Sequence, residues 1–510
     1  NTGSLTVSQG GVIATGTVGE GDAGTLTINA RDTISVSQGV ISSAVAQGAE
    51  GNGGDINLTT GSLFLTNNGY LSSASQGIGN SGNITVKARD AIVIEGTQTE
   101  DSFSGILTTL VPNLENLKSE VEGGDINLEA NSLTMNDSAY LLTGNIFRIG
   151  NAGDITINVR GNITLSNSSQ INSFTFGGQG DAGRIQIRAG NAVSLDNSGI
   201  LSASVGLQDI FSFLERLGFS SDQLLQTSGQ DPDAFRSILS QLPSQVGNAN
   251  DLEITARSLR LDNDSSLFTS SGAGDGGNIR LRLSDSLIVR RGSRITTDAG
   301  ILELGGNGGD IEIDSRFIVA VPQERSRISA NAFTGRGGNV QIQTEGLFGL
   351  ALRSTPPNFR APNDFVSSQI TASSQLGIQG NISITQPDVQ PTQEMIELPG
   401  DLIDASTQIA QVCHRGVTGR SAGRFVVSGR GSVPPSPIDP LSGTSVTGSL
   451  AEIESEPTAQ IHSTIPIAPP EIIEAQGWIK SADGKVLLVA HSTEATPSSR
   501  PNVTCATATH

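Results

Sequence analysis

Aliphatic residues recur along this chain in one short pattern. GGDINL stands at Gly53–Leu58 and again at Gly123–Leu128. Near copies follow at Ala152–Ile157, Ala182–Ile187, Gly276–Leu281, Gly308–Ile313 and Gly337–Ile342. In each run a turn residue is followed by apolar, polar, apolar. That period of two predicts a strand with one buried face. We take the residue two places before the first apolar position as an anchor. The anchors are Gly24, Gly54, Gly82, Gly124, Gly153, Gly183, Asn250, Gly277, Gly309, Gly338 and Gly380. Two and four places after every one stands Leu, Ile or Val, from Leu26 and Ile28 to Ile382 and Ile384.

Successive anchors are 30, 28, 42, 29, 30, 67, 27, 32, 29 and 42 residues apart. Seven spacings cluster near one period, and the other three are that period plus an insertion. Each period holds two further alternating runs. Examples of the second are SLFLTNN (Ser62–Asn68) and SLIVRR (Ser286–Arg291); of the third, GYLSSAS (Gly69–Ser75) and SRITTDA (Ser293–Ala299). Three short strands with Gly/Asn/Asp turns, repeated about every 29 residues, predict one coil of a solenoid. The expected fold is all-β, a parallel β-helix over residues 1–385. Eleven first strands at about 4.8 Å each give a stack on the order of 50 Å long. The outward column Glu253, Arg280, Glu312, Gln341 places opposite charges on adjacent coils, which supports this register.

The long spacings locate the insertions. Leu207–Leu242 carries apolar residues at helical intervals, and Asp231-Pro232 fits an N-cap followed by proline. Short amphipathic helices are expected within about 206–246, and a smaller helical insertion at about 111–122. Residues 349–365 hold Pro356 and Pro357 and read as a loop. Beyond Ile384 the texture changes: thirteen of the twenty prolines, both cysteines, all four histidines and the only Trp lie in residues 386–510. That segment reads as a Pro-rich tail with a small β module, its hairpin at Gly477–Ala490 turning at Asp483-Gly484.

Composition sharpens this picture. Aromatic residues are 4% of the 510, against 62 glycines. A narrow interior of stacked Ile, Leu, Val, Ala and Ser has little room for rings. The formal net charge is −20, which argues against a nucleic-acid partner, since phosphate binding draws on surplus cations. No apolar run approaches the roughly 18 residues of a membrane helix. Asn1 opens inside a repeat, so the expectation is a portion of a longer protein whose export signal lies elsewhere.

Few groupings suggest chemistry. Cys413 and Cys505 are a disulfide candidate, with free thiols or a link to another chain as alternatives. Phe211, Phe213 and Phe219 on the long insertion are partner-contact candidates; the plainer expectation is that the insertion covers the solenoid flank, and membrane contact is a third alternative. Arg280, Arg282, Arg290, Arg291 and Arg294 are anionic-ligand candidates; the plainer expectation is that they face Glu312 and Asp314 or water. Gly/Asp turns such as GGNGGD (Gly305–Asp310) are similar to calcium-binding nonapeptide runs, but those need tandem short repeats to share each ion. No metal site, cofactor site or catalytic set is expected.

The coils, together with CHRG at Cys413–Gly416, FVVSGRGSVPPSPIDPLSG at Phe425–Gly443 and EAQGWIKSADGKVLLVA at Glu474–Ala490, resemble filamentous-haemagglutinin-like proteins of the cyanobacterial type, in their C-terminal portion. The resemblance implies a right-handed β-helix exported by two-partner secretion, hence an outer-membrane secretion channel as partner. It implies a secreted, surface-associated protein with an adhesive or structural role, contacting glycans or envelope proteins and without catalysis. Two alternatives stand beside it: a β-helix polysaccharide lyase or hydrolase, and a self-associating subunit of an ordered surface or fibre assembly.

Overall fold

The computed structural model describes residues 1–97, 103–110, 120–146, 148–177, 179–205, 247–300, 305–353 and 367–386, and the backbone of 477–480 and 486–489. It comprises two compact units, Asn1–Asp401 and Leu402–His510.

The first unit is a parallel β-solenoid. Its first and second strands form one 18-stranded sheet and its third strands a 12-stranded sheet. Every pairing within these sheets is parallel, with first strands in the register set by the anchors. Ile56 pairs with Ile84, Ile84 with Ile126, Ile126 with Ile155 and Ile155 with Ile185. In four coils the chain crosses from first to second strand without a break, as in Leu26–Ser37, Leu252–Asp262, Ile279–Val289 and Ile311–Ala320.

The aliphatic columns point inward. Ile155 and Ile157 of the first strand, Ile163 and Leu165 of the second and Ile171 of the third are all fully buried, and the same holds coil after coil. One continuous hydrophobic cluster runs from Val7 to Ala372, with Leu26, Ile28, Ile382 and Ile384 only partly buried. Each fully buried aliphatic contributes roughly 1.5–3 kcal/mol gross. A column of hydroxyls completes the interior. Thr143 Oγ1 donates to the Gly153 carbonyl at 2.7 Å, Ser202 Oγ to Gly183 at 3.0 Å and Thr269 Oγ1 to Gly277 at 2.6 Å. Short polar side chains thus satisfy the carbonyls that the anchor turn turns inward.

The repeated Gly-Gly-Asp/Asn has a direct explanation. Asp55 Oδ1 accepts from the Asn83 amide, Asn83 Oδ1 from Asp125, Asp125 Oδ1 from Asp154 and Asp154 Oδ1 from Arg184, at 2.7–2.8 Å. A second ladder three residues upstream links Asp22, Asn52, Asn80 and Glu122 in the same way. Each carboxamide or carboxylate caps the same turn one coil along. At most anchors only glycine fits because the coils touch there: a Cβ on Gly124 would strike the Gly82 carbonyl, and Asn250, after the long insertion, is the exception. Between second and third strands the turn places two successive residues at positive φ. These are Asn67 and Asn68, Asp137 and Ser138, Asn167 and Ser168, Asn263 and Asp264. Asn and Asp tolerate that conformation best among residues with a Cβ.

Two boundaries differ from the sequence reading. Ala351–Arg353, expected within a loop, is a strand paired in parallel with Gln369–Thr371 at the edge of the 12-stranded sheet. The open edge supplies backbone partners that its sequence pattern does not advertise. Glu120–Glu122, assigned to the shorter insertion, belong to a coil turn: Glu120 bridges to Ile149 and Val121 is buried. Residues 111–119 and 206–246, where helices are expected, lie outside the described residues. In the second unit Gly477–Lys480 and Val486–Val489 pair antiparallel.

Candidate functional site: a cationic groove and an aromatic ridge

Position seven after the anchor lies at the corner between first and second strands. Arg31, Arg89, Arg160, Arg257 and Arg316 occupy it on every second coil, with Gly61, Asn131, Gly190, Ser284 and Glu345 between them. Two coils separate successive arginines by about 9.6 Å, twice the strand spacing. The alternation is steric in part. The Arg89 guanidinium lies over Gly61, where a Cβ would meet its Nη2 at 2.9 Å. Arg160 Nη2 reaches back across Asn131 to the Arg89 carbonyl at 2.5 Å.

Four of these arginines hold a carboxylate: Arg31 with Asp32 and Arg89 with Asp90 at 2.8 Å, Arg257 with Asp285 at 3.9 Å, Arg316 with Glu345 at 2.9 Å. Arg160 is followed by Gly161 and has no carboxylate partner among the described residues. Around it the wall of the corner opens into a shallow depression of about 640 Å³. Its floor is Ala88, Ala130, Val159 and Ala189, all buried. Its rim carries Lys87, Arg89, Arg160 and Arg188, with Glu129 the one acid. Lys87 stands 3.7 Å from Glu129. Arg188 Nη1 donates to Gln186 Oε1 at 3.0 Å. Gln186 in turn donates to Glu253, whose pKa is lowered by that hydrogen bond first and then by the charges of Arg282 and Arg188.

A second feature lies on the 12-stranded sheet. The chain has two tyrosines, and both stand here, Tyr70 and Tyr140, each paired in register with Gly105 of the coil between them. Phe103, two residues before that glycine, packs against both tyrosine rings. Its ring centroid lies 6.1 Å from Tyr70 and 6.0 Å from Tyr140, edge-on to the latter. Phe103 is 41% exposed. Partial burial raises the pKa of Tyr140. The result is a ridge of three rings along the solenoid axis, Phe103 exposed and the two tyrosines half-buried.

The arginines singled out from sequence are placed on two surfaces. Arg280 and Arg282 face outward from one first strand. Arg280 is in register with Glu253 and Glu312 as expected, but its near contact is Asp251 at 2.8 Å, with Glu312 at 3.6 Å. Arg282 is in register with Asp314 yet pairs back to Glu253. Arg290 and Arg291 flank the next turn: Arg290 holds Glu324 at 2.5 Å and Arg291 holds Asp262 at 2.7 Å. Arg294 sits on the 12-stranded sheet between Ser266 and Arg327. Burial takes Arg327 down to about 10, opposed by the Asp298 carboxylate and assisted by the Arg294 charge. Asp298 is itself buried, which raises its pKa although Arg327, Asn331 and Ser329 pull the other way. Both its oxygens are engaged within the sheet, by the Asn331 amide and the Ser329 hydroxyl. The five arginines are thus divided between faces, and four of them are paired to carboxylates of neighbouring coils. Phe211, Phe213, Phe219, Cys413 and Cys505 lie outside the described residues.

Sequence reasoning missed both surfaces. The alternation Arg31, Arg89, Arg160 was readable three columns beyond the apolar pair. The ridge was not, because Phe103 lies outside the strand Ser104–Leu110 and its alternation. No group of three His, Cys, Asp or Glu side chains converges among the described residues, and no helix there is long and apolar enough to cross a membrane. Compared with protein-family models, curated proteins and solved structures, the chain matches none.

Proposed function

We propose that this protein is a structural, adhesive element of the cell surface, exported and non-catalytic, whose solenoid presents contacts to glycans. The observation that carries this reading is the ridge of Tyr70, Phe103 and Tyr140. In a chain so poor in aromatics, three rings on one exposed face form an amphipathic contact surface: their faces take the apolar side of a sugar ring and the two hydroxyls its polar edge. Much of the remaining surface chemistry joins neighbouring coils, in side-chain ladders and ion pairs that hold a repeating exterior. The resemblance noted above agrees with this role and supplies the export route by secretion channel.

The test is binding of the full chain to immobilised glycans and to cells, with Tyr70→Ala and Phe103→Ala beside it. The reading expects retention that both substitutions reduce several-fold at unchanged melting temperature. Equal retention by the variants removes the ridge as its basis. Release of new reducing or unsaturated sugar ends from any polysaccharide by the purified chain replaces adhesion with catalysis.

A further inference from the structure

We infer that the corner groove binds a linear carboxylated glycan, a polyuronate, lying along the solenoid axis across coils that carry Lys87, Arg89, Arg160 and Arg188. The inference rests on the glycan-contact reading but uses a different face of the solenoid. Three observations carry it.

The first is charge. On a chain of net charge −20, four cations rim one depression, with Glu129, Asp90 and Glu253 as the neighbouring acids. Arg160 and Arg188 have no carboxylate partner among the described residues; their hydrogen bonds go to the Arg89 carbonyl and to Gln186. Each guanidinium therefore keeps donors for a ligand. A guanidinium fork matches a carboxylate in two parallel hydrogen bonds, which a lone ammonium does not.

The second is period. Corner arginines recur every two coils, about 9.6 Å apart. An extended β-linked polyuronate advances by about one strand spacing per sugar. In a two-fold chain every second carboxylate faces the same way. Glycan and protein then share a repeat, and the groove direction is the one in which the repeat runs. Arg188, one coil beyond Arg160 and on the opposite rim, meets the carboxylates that face the other side.

The third is the lining. Thr59, Asn158 and Thr255 alternate with the cations, offering hydroxyl and amide partners to sugar hydroxyls, and Glu129 accepts from them. Among the described residues no aromatic side chain lines the groove. Single-stranded nucleic acid, the competing polyanion, is held by a cationic groove together with base stacking on such rings, so the lining favours the glycan.

The experiment is isothermal titration of the full chain with β-linked oligomannuronates of graded length, with their carboxyl-reduced neutral counterparts, and with a single-stranded oligonucleotide of matched charge. The variants are Arg160→Gln/Arg188→Gln in the groove and Arg290→Gln/Arg291→Gln, whose partners Glu324 and Asp262 do not line it, as a control of equal charge change. The expected result is affinity that rises with oligomannuronate length and falls with added salt. It weakens about tenfold or more in the groove variant, about one decade for the loss of charge-assisted contacts, and less than about twofold in the control. Equal binding of the neutral glycan, an unaffected groove variant, or equally tight binding of the oligonucleotide overturns the proposal. The ridge variant Tyr70→Ala separates the two readings: oligomannuronate binding that survives it while adhesion is lost supports both. Adhesion that depends on the ridge without any oligomannuronate binding removes only the groove.

Discussion

The Glu324 carboxylate takes both prongs of the Arg290 guanidinium, from Nε at 2.5 Å and Nη2 at 2.7 Å, and a third hydrogen bond from the Arg291 amide at 2.9 Å. The contact ties the 3₁₀ turn Pro322–Glu324 to the preceding coil. Those bonds, the one from Arg290 first, lower the Glu324 pKa to about 2 from the ordinary 4.5. A lowered carboxylate pKa stabilises the native state above the unfolded value, and that stability is lost as pH falls from about 4.5 towards 2. Glu324→Gln should therefore cost on the order of 1–2 kcal/mol at neutral pH after allowance for solvent screening. The difference from the parent should vanish near pH 2. Melting temperature against pH for both chains checks it; parallel curves down to acid would refute the pairing.

Asp125 behaves in the opposite sense. Burial, and then the neighbouring Asp154 charge, raise its pKa against the pull of the Asp154 amide. A raised carboxylate pKa costs native stability above the unfolded value, and that cost is relieved as pH falls through the raised folded value. Asp154→Asn keeps the acceptor for the Arg184 amide and removes the repulsion. It should leave stability at neutral pH unchanged or higher. Asp154→Ala gives the exposed Arg184 amide up to water and should cost about 0.5–1.5 kcal/mol. Denaturant midpoints of the two variants decide whether the ladder acts as hydrogen-bond caps or as charge.

Gly124→Ala forces a Cβ against the Gly82 carbonyl, in backbone that cannot yield without separating two coils. The expected loss is ~3 kcal/mol or more. Gly19→Ala meets nothing within 4 Å and should be near neutral. Similar melting temperatures for both would show that coil contact does not set the glycine.

Core position matters more than residue type. Ile157→Ala, in the middle of the stack and fully buried, should cost about 2–5 kcal/mol. Ile28→Ala, on a first strand only partly buried, should cost clearly less. Calorimetry of the pair measures how steeply burial falls off towards that end of the described stack.

Much of the solenoid was legible because its two strongest signals are local. Ile155 and Ile157 alternate with polar residues at the strand period, and the anchors repeat at the coil period, so strand, face and register follow without any knowledge of contacts. The ladder residues Asn52, Asp55 and Asn83 were visible as turn formers, but their role as caps on the next coil was not, since it joins residues 28–30 apart. The strand Ala351–Arg353 was hidden because its pairing is dictated by an open edge rather than by its own alternation.

What the chain determines by itself is the alternation of apolar and polar positions and the turn chemistry, since each depends on a handful of adjacent residues. The tertiary structure alone decides which outward side chains meet. Arg282 pairs back to Glu253 rather than forward to Asp314, Arg160 finds no carboxylate among the described residues, and Tyr70 and Tyr140 close on Phe103. Stacking fixes the distance between coils, but side-chain length, rotamer and the space left by a neighbouring glycine choose the partner. Those are properties of the assembled surface, and the candidate binding surfaces are made of them.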